Sequence, residues 1–124
     1  MTYARALMKP SRWLNKPERC IEGVMHQSGM EAARCTELHL LLRAGEITDL
    51  EAHPQPRLDL VVNDVKVGAY LPDFVYHDVR SGQKVVEDVK GQAGMTAVYQ
   101  LKKKLVLACH GIEITEVTRV RGRR

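Results

Sequence analysis

Apolar residues change their spacing several times along the 124-residue chain, and each change predicts an element. Residues 1–17 carry Pro10 and Pro17 and no period, the pattern of an irregular lead-in. In RCIEGVMH, residues 19–26, apolar positions flank Glu22 and Gly23, as in a short hairpin. Ser28-Gly29-Met30-Glu31 then has the S-x-x-E form of a capping box, with Ser28 at the N-cap and Glu31 at the third helical position. Ala32, Cys35, Leu38 and Leu42, with Leu41 beside them, recur at helical spacing, and Gly45 predicts a stop just after Arg43.

Beyond that helix, residues 46–56 are punctuated by Pro54 and Pro56 and are expected to run along an edge of the fold. RLDLVV (57–62) is β-rich, Asn63-Asp64 marks a turn, and residues 65–76 form a second extended segment interrupted by Pro72. Together they predict an antiparallel meander. After a turn at 77–83 comes another strand, KVVEDVK (84–90). Gly91 and Gly94 loosen the chain before a second helix at about 96–109, with Val98, Leu101, Leu105 and Ala108 expected to face inward and Gly111 to end it. Ile112, Ile114 and Val117 predict a last short strand. The order predicts an α/β (α+β) layered fold in one domain, residues 19–118, between a basic arm (1–18) and a basic tail (119–124). A strand-helix-strand step near the C-terminus should cross right-handedly and leave its two strands parallel.

The strand at 84–90 carries three charges among its valines. Side chains alternate along a strand, so Asp88 and Lys90 share one face while Glu87 and Val89 share the other. If both faces are covered, at least one ionic group is partly buried and needs a partner. Pairing through the turn at 77–83 brings Asp73 beside Glu87 and Asp88, so two or three carboxylates converge near a lysine. Such like charges raise one another's pKa unless a cation or the lysine neutralises them, and carboxylate oxygens at an open site suit Mg²⁺ or Mn²⁺. Glu87, facing away from Lys90, is the doubtful member of this group and could pair with a basic residue on the opposite face.

Composition narrows the setting. Hydrophobic residues make up 44% and charged residues 27%, as in an ordinary soluble domain. No apolar run approaches the length of about 20 residues that spans a bilayer, so no membrane partner is expected, and the N-terminus lacks the apolar core of a secretory signal. Cys20, Cys35 and Cys109 are far apart and form no CxxC, which argues against a disulfide framework and against a zinc site. His26, His39, His53, His77 and His110 show no ligand spacing and are expected to be structural or exposed. A reducing cytoplasm fits these features. The net charge of +4 is concentrated in the N-terminal arm, in Lys102-Lys103-Lys104 and in Arg119, Arg121, Arg123 and Arg124, a distribution that permits DNA binding. Solvated, solubilising surface is the competing account of each cluster.

Pro72-Asp73 followed by Asp88-Val89-Lys90 resembles the signature of the PD-(D/E)xK nuclease superfamily. The wider frame, SGMEAAR, LLLRAGEI, QPRLDL, YLPDFVY, VVEDVKG and LKKKL through GIEITEV, resembles small phage and prophage nucleases of that superfamily over residues 19–118. The resemblance implies a restriction-endonuclease-like core, with a central mixed sheet of about four to five strands flanked by helices. It implies a Mg²⁺- or Mn²⁺-dependent endodeoxyribonuclease for branched or structured DNA, similar to a Holliday-junction resolvase and hence a homodimer. Asp73 and Asp88 would be metal ligands, the Val89 carbonyl a third donor, and Glu31 a ligand of a second metal or of a water on the first. Lys90 would position the attacking water. Tyr99, Gln100, Lys102 and Lys103 fall where such nucleases place DNA-contacting or site-supporting groups. A non-catalytic DNA-binding protein with the same fold, and an interaction protein whose acids and lysine form a structural network, are the alternatives.

Overall fold

The two faces of one strand account for the layering. β7 (Gln83–Val89) sends Val85, Glu87 and Val89 to one side and Val86 and Asp88 to the other, and both sides are covered. The computed structural model describes residues 16–90 and 94–120. A hairpin of β1 (Glu18–Arg19) and β2 (Met25–His26) leads into helix α1 (Gly29–Arg43). β3 (Ile47–Glu51) follows, then a hairpin of β4 (Leu58–Val62) and β5 (Val65–Tyr70), then β6 (Phe74–Asp78) and β7. Helix α2 (Ala97–His110) and β8 (Thr115–Val117) complete the order. The fold is mixed α+β, with a four-stranded sheet in the order β3-β6-β7-β8 and two smaller two-stranded sheets.

The local signals explain most of these elements. Ser28 Oγ accepts the Glu31 N–H at 3.1 Å, so the capping serine starts α1 as its sequence predicts. Glu31 Oε2 accepts the N–H of Gln27 at 3.2 Å, one residue earlier than a regular capping box would have it. At the other end, Gly45 at φ 78° lets its own N–H and that of Glu46 turn back to the carbonyls of Leu42 and Leu41. This pair of bonds closes the helix in a way that a residue with a Cβ would strain. β7 pairs antiparallel with β6 and parallel with β8, the latter the relation expected of the strand-helix-strand step.

Three expectations are corrected. Residues 47–51 form an edge strand, not merely an irregular edge segment; its Asp49 and Glu51 hid the period, and charged side chains suit an unpaired sheet border. The meander is split, because β4 and β5 pair only with each other while β6 crosses at Pro72 into the main sheet. On α2, Val98 and Leu101 are 64% and 59% exposed, and the side facing the sheet is carried by Tyr99 and Val106, with Leu105 and Cys109 partly buried. The tyrosine sets this rotation, since its ring lies beside Tyr70 and its hydroxyl reaches Glu116. In α1, Ala32, Cys35 and Leu38 are buried as predicted, while Leu42 is exposed.

One core lies between α1 and the sheet, where Ala32, Cys35 and Leu38 meet Ile47, Phe74 and Tyr76. The second lies on the other side, where Tyr99 and Val106 of α2 and Leu60 and Tyr70 of the hairpin meet Val75, Val86 and Ile114. Burial of such side chains contributes about 1.5–3 kcal/mol each before conformational entropy is counted.

Candidate functional site

The register brings Phe74 opposite Glu87, so Asp73, just before β6, sits at the end of β7. Pro72 precedes it and has no N–H to donate to a ladder. Asp73 restores the pairing in two ways: its N–H donates to Glu87 O at 3.1 Å, and its Oδ2 accepts the N–H of Val89 at 2.8 Å. The carboxylate is therefore fixed by backbone. Its side chain also reaches those of Asp88 and Glu31, so the acids form a chain from the start of α1, through the end of β6, to β7.

Asp88 is buried, with the Tyr70 hydroxyl donating to Oδ2 and Lys90 Nζ 3.4 Å from that oxygen. Burial first, and then the neighbouring Asp73, pushes the Asp88 carboxyl up to about 7. Asp73 is pushed up to about 6, again chiefly by burial, although its contacts with Asp88 and the Val89 N–H oppose the shift. The Lys90 ammonium also lies over the Tyr99 ring, 4.2 Å from its centre, a cation–π geometry. A Cβ on Gly94 would stand 2.9 Å from Lys90 Cδ, so the glycine leaves room for the lysine stem.

The structure thus brings Glu31, Asp73, Asp88 and Lys90 together, with Val89 between the last two. Glu31 bonds the chain before α1 and also reaches Asp73. Glu87 is separate, as its strand parity implied. It is fully buried on the α1 side, where Arg34 Nε and Nη2 donate to its two oxygens at 2.9 and 2.6 Å and the Tyr76 hydroxyl donates to Oε2. The basic partner across from Lys90 is Arg34.

Of the residues considered for DNA contact, Tyr99 is buried and donates to Glu116 Oε2 at 2.7 Å, and Lys103 Nζ lies 3.1 Å from the same oxygen. Both thus bond Glu116 of β8, and Tyr99 also lies under the Lys90 ammonium. Gln100 is exposed and Lys102 partly so. Arg119 lines a depression of about 540 Å³ with Arg34, Glu37, Leu40 and Leu41 of α1. Arg121, Arg123 and Arg124 lie outside the described residues, as does most of the basic arm.

A pocket of about 340 Å³ adjoins the acids, lined by Glu31 and Asp73 together with His26, His53 and Gln55. Gln55 is held by its Nε2, which donates to the carbonyls of Leu71 and Pro72 at 3.2 Å each. Behind this pocket, Cys20, His26, Cys35 and His53 each offer a ligand atom, all within 4.8 Å of one another, an arrangement that can hold a metal ion. Neither the cysteine nor the histidine spacing signals this cluster, because its members come from the first hairpin, α1 and the segment between β3 and β4. The sequence predicted no zinc site from these cysteines and only structural or exposed histidines; the fold nonetheless brings these four within ligand distance of one another.

The family model described as "Protein of unknown function (DUF1064)" matches residues 15–120, nearly the whole chain. The protein belongs to that family. The match spans every described strand and helix of this DUF1064 chain, so its range includes both the acid cluster and the Cys/His cluster. Neither the curated proteins nor the solved structures compared with it gave a match. No helix among the described residues is long and apolar enough to cross a membrane.

Proposed function

We propose that the protein is a metal-dependent endodeoxyribonuclease with a restriction-endonuclease-like core, acting on branched or structured DNA in the manner of a Holliday-junction resolvase. The observation that carries this reading is the convergence of Glu31, Asp73, Asp88 and Lys90 at one end of β6 and β7, beside an open pocket. The donor set fits a hard divalent cation: Asp73 reaches both Asp88 and Glu31, and burial first, then neighbouring acids, holds Asp73 and Asp88 above their ordinary range. Asp73, Asp88, Glu31 and the Val89 carbonyl would hold Mg²⁺ or Mn²⁺, which when bound supplies Lewis acidity at a phosphodiester oxygen.

Lys90 orients the attacking water and stabilises negative charge as it develops on the phosphate, while Asp88 keeps the ammonium in place. Tyr70 bonds Asp88 and the Tyr99 ring lies under Lys90, so both buried rings pack against the pair. A structural network is the second reading, supported by Asp73 bonding the Val89 N–H and by Tyr70 bonding Asp88.

Incubation with four-way junction, flap, nicked, single-stranded and linear duplex DNA separates the two readings. With Mg²⁺ or Mn²⁺ the wild type is expected to cut the junction, and Asp88→Asn and Lys90→Ala to lower the rate by about 100-fold or more. Equal cutting by all three proteins, or no cutting by folded wild type with either metal, removes the nuclease reading.

A further inference from the structure

We propose that Cys20, His26, Cys35 and His53 form a tetrahedral site for one zinc-like divalent cation, which ties the β1–β2 hairpin and the segment after β3 to helix α1. This site is distinct in chemistry from the acid cluster and does not depend on the nuclease reading.

Its four ligand atoms all lie within 4.8 Å of one another. His53 Nε2 lies 3.7 Å from Cys20 Sγ and 3.4 Å from Cys35 Sγ. In a tetrahedron with zinc–sulfur bonds of about 2.3 Å and zinc–nitrogen bonds of about 2.05 Å, the sulfur–nitrogen edge is about 3.6 Å. The two observed edges bracket that length. The fourth ligand is indicated by His26: among the described residues, its Nε2 is the one buried side-chain nitrogen or oxygen without a hydrogen-bond partner. Leaving such an atom unpaired is costly, and a metal bond would satisfy it. The other ring nitrogen, Nδ1, lies 3.7 Å from Glu31 Oε1, on the side where an outer carboxylate commonly orients a ligating histidine.

The ligand types discriminate between cations. Two thiols and two imidazoles suit zinc and other borderline or soft ions and are poor donors for Mg²⁺. Binding would release one proton from each thiol to the buffer and leave the metal's oxidation state unchanged. Both cysteines are buried, and both are free in the structure. With four protein ligands no coordination position remains for a substrate, so the role is to brace the protein. What it braces is relevant to the neighbouring pocket, because His26 and His53 line that pocket together with Glu31 and Asp73.

The test uses the full chain, fully reduced and stripped of metal, titrated with Co²⁺ alone and followed by absorbance. One equivalent is expected to give the strong ligand-field bands of tetrahedral cobalt and a sulfur-to-metal charge-transfer band, both lost on adding Zn²⁺ and unchanged by excess Mg²⁺. Cys35→Ser should weaken Zn²⁺ binding by more than the roughly 10–100-fold that loss of an outer supporting residue costs. His53→Gln alters an exposed ligand and is the second variant should the buried one fail to fold. Absence of the charge-transfer band in the fully reduced chain overturns the proposal. So does a band that persists undiminished in the folded variants.

Discussion

Glu87 and Asp88 are consecutive in the chain yet answer to different layers of the protein. Arg34 and Tyr76 satisfy Glu87 on the α1 side, while Asp88 shares its surroundings with Asp73, Tyr70 and Lys90. Replacing Arg34 by Met should therefore destabilise the fold by about 3–5 kcal/mol in urea denaturation, because a buried carboxylate loses its counter-ion. Adding Glu87→Leu to that variant should recover much of the loss. Asp73 and Asp88 respond to pH in a defined direction. Their folded values, about 6 and about 7, lie above the ordinary 3.8, so between those limits the folded state binds more protons than the unfolded one. Their contribution to stability is then fully present below about pH 4 and lost as pH rises through about 7. In the absence of divalent cations, urea midpoints should be lower at about pH 8 than at about pH 5, and Asp88→Asn should flatten that difference. An unchanged slope in the variant would show that other groups govern it. Asp73, Asp88 and Lys90 were legible in the sequence because strand parity and one turn are enough to assemble them. Cys20, His26, Cys35 and His53 were not, because only the packing of three separate segments makes them neighbours.

At the scale of elements, α1 separates helix capping from site chemistry. Ser28→Ala removes the acceptor of the Glu31 N–H and should cost about 1 kcal/mol in thermal or urea unfolding. Glu31→Gln retains a side-chain oxygen for the Gln27 N–H while removing the charge beside Asp73. Under the proposed function it should leave stability nearly unchanged and lower DNA cleavage; a loss of stability equal to that of Ser28→Ala would make the glutamate a capping residue alone. The start of α1 was readable because its cap is local in sequence. The inward face of α2 was not: Tyr99 is half polar by type, and its burial depends on Tyr70 and Glu116, which are distant in the chain. β3 escaped detection because an edge strand need not alternate as an inner one does.

For the whole molecule, the layered α+β order and the parallel β7–β8 pair followed from the sequence, while the division of the β-rich segments into two sheets did not. Pro72 explains the difference, since the chain leaves the β4–β5 hairpin there and enters the main sheet at Phe74. A resolvase-like reaction needs two cuts related by symmetry, and the proposed function therefore requires a two-fold homodimer. Sedimentation equilibrium should give twice the chain mass at concentrations that cut junctions, and a monomer there would leave at most a single-cut nuclease.

The fixed register at the start of β7 also bears on insertions and deletions. A one-residue deletion at the β6–β7 turn that shifted β7 against an unmoved sheet would turn the arginine-bound acid toward α2 and aim the lysine-bound one at α1. Length change there exchanges two chemistries instead of merely loosening a loop. Along this chain, the permissible places to lengthen are those that leave the frame of β7 intact.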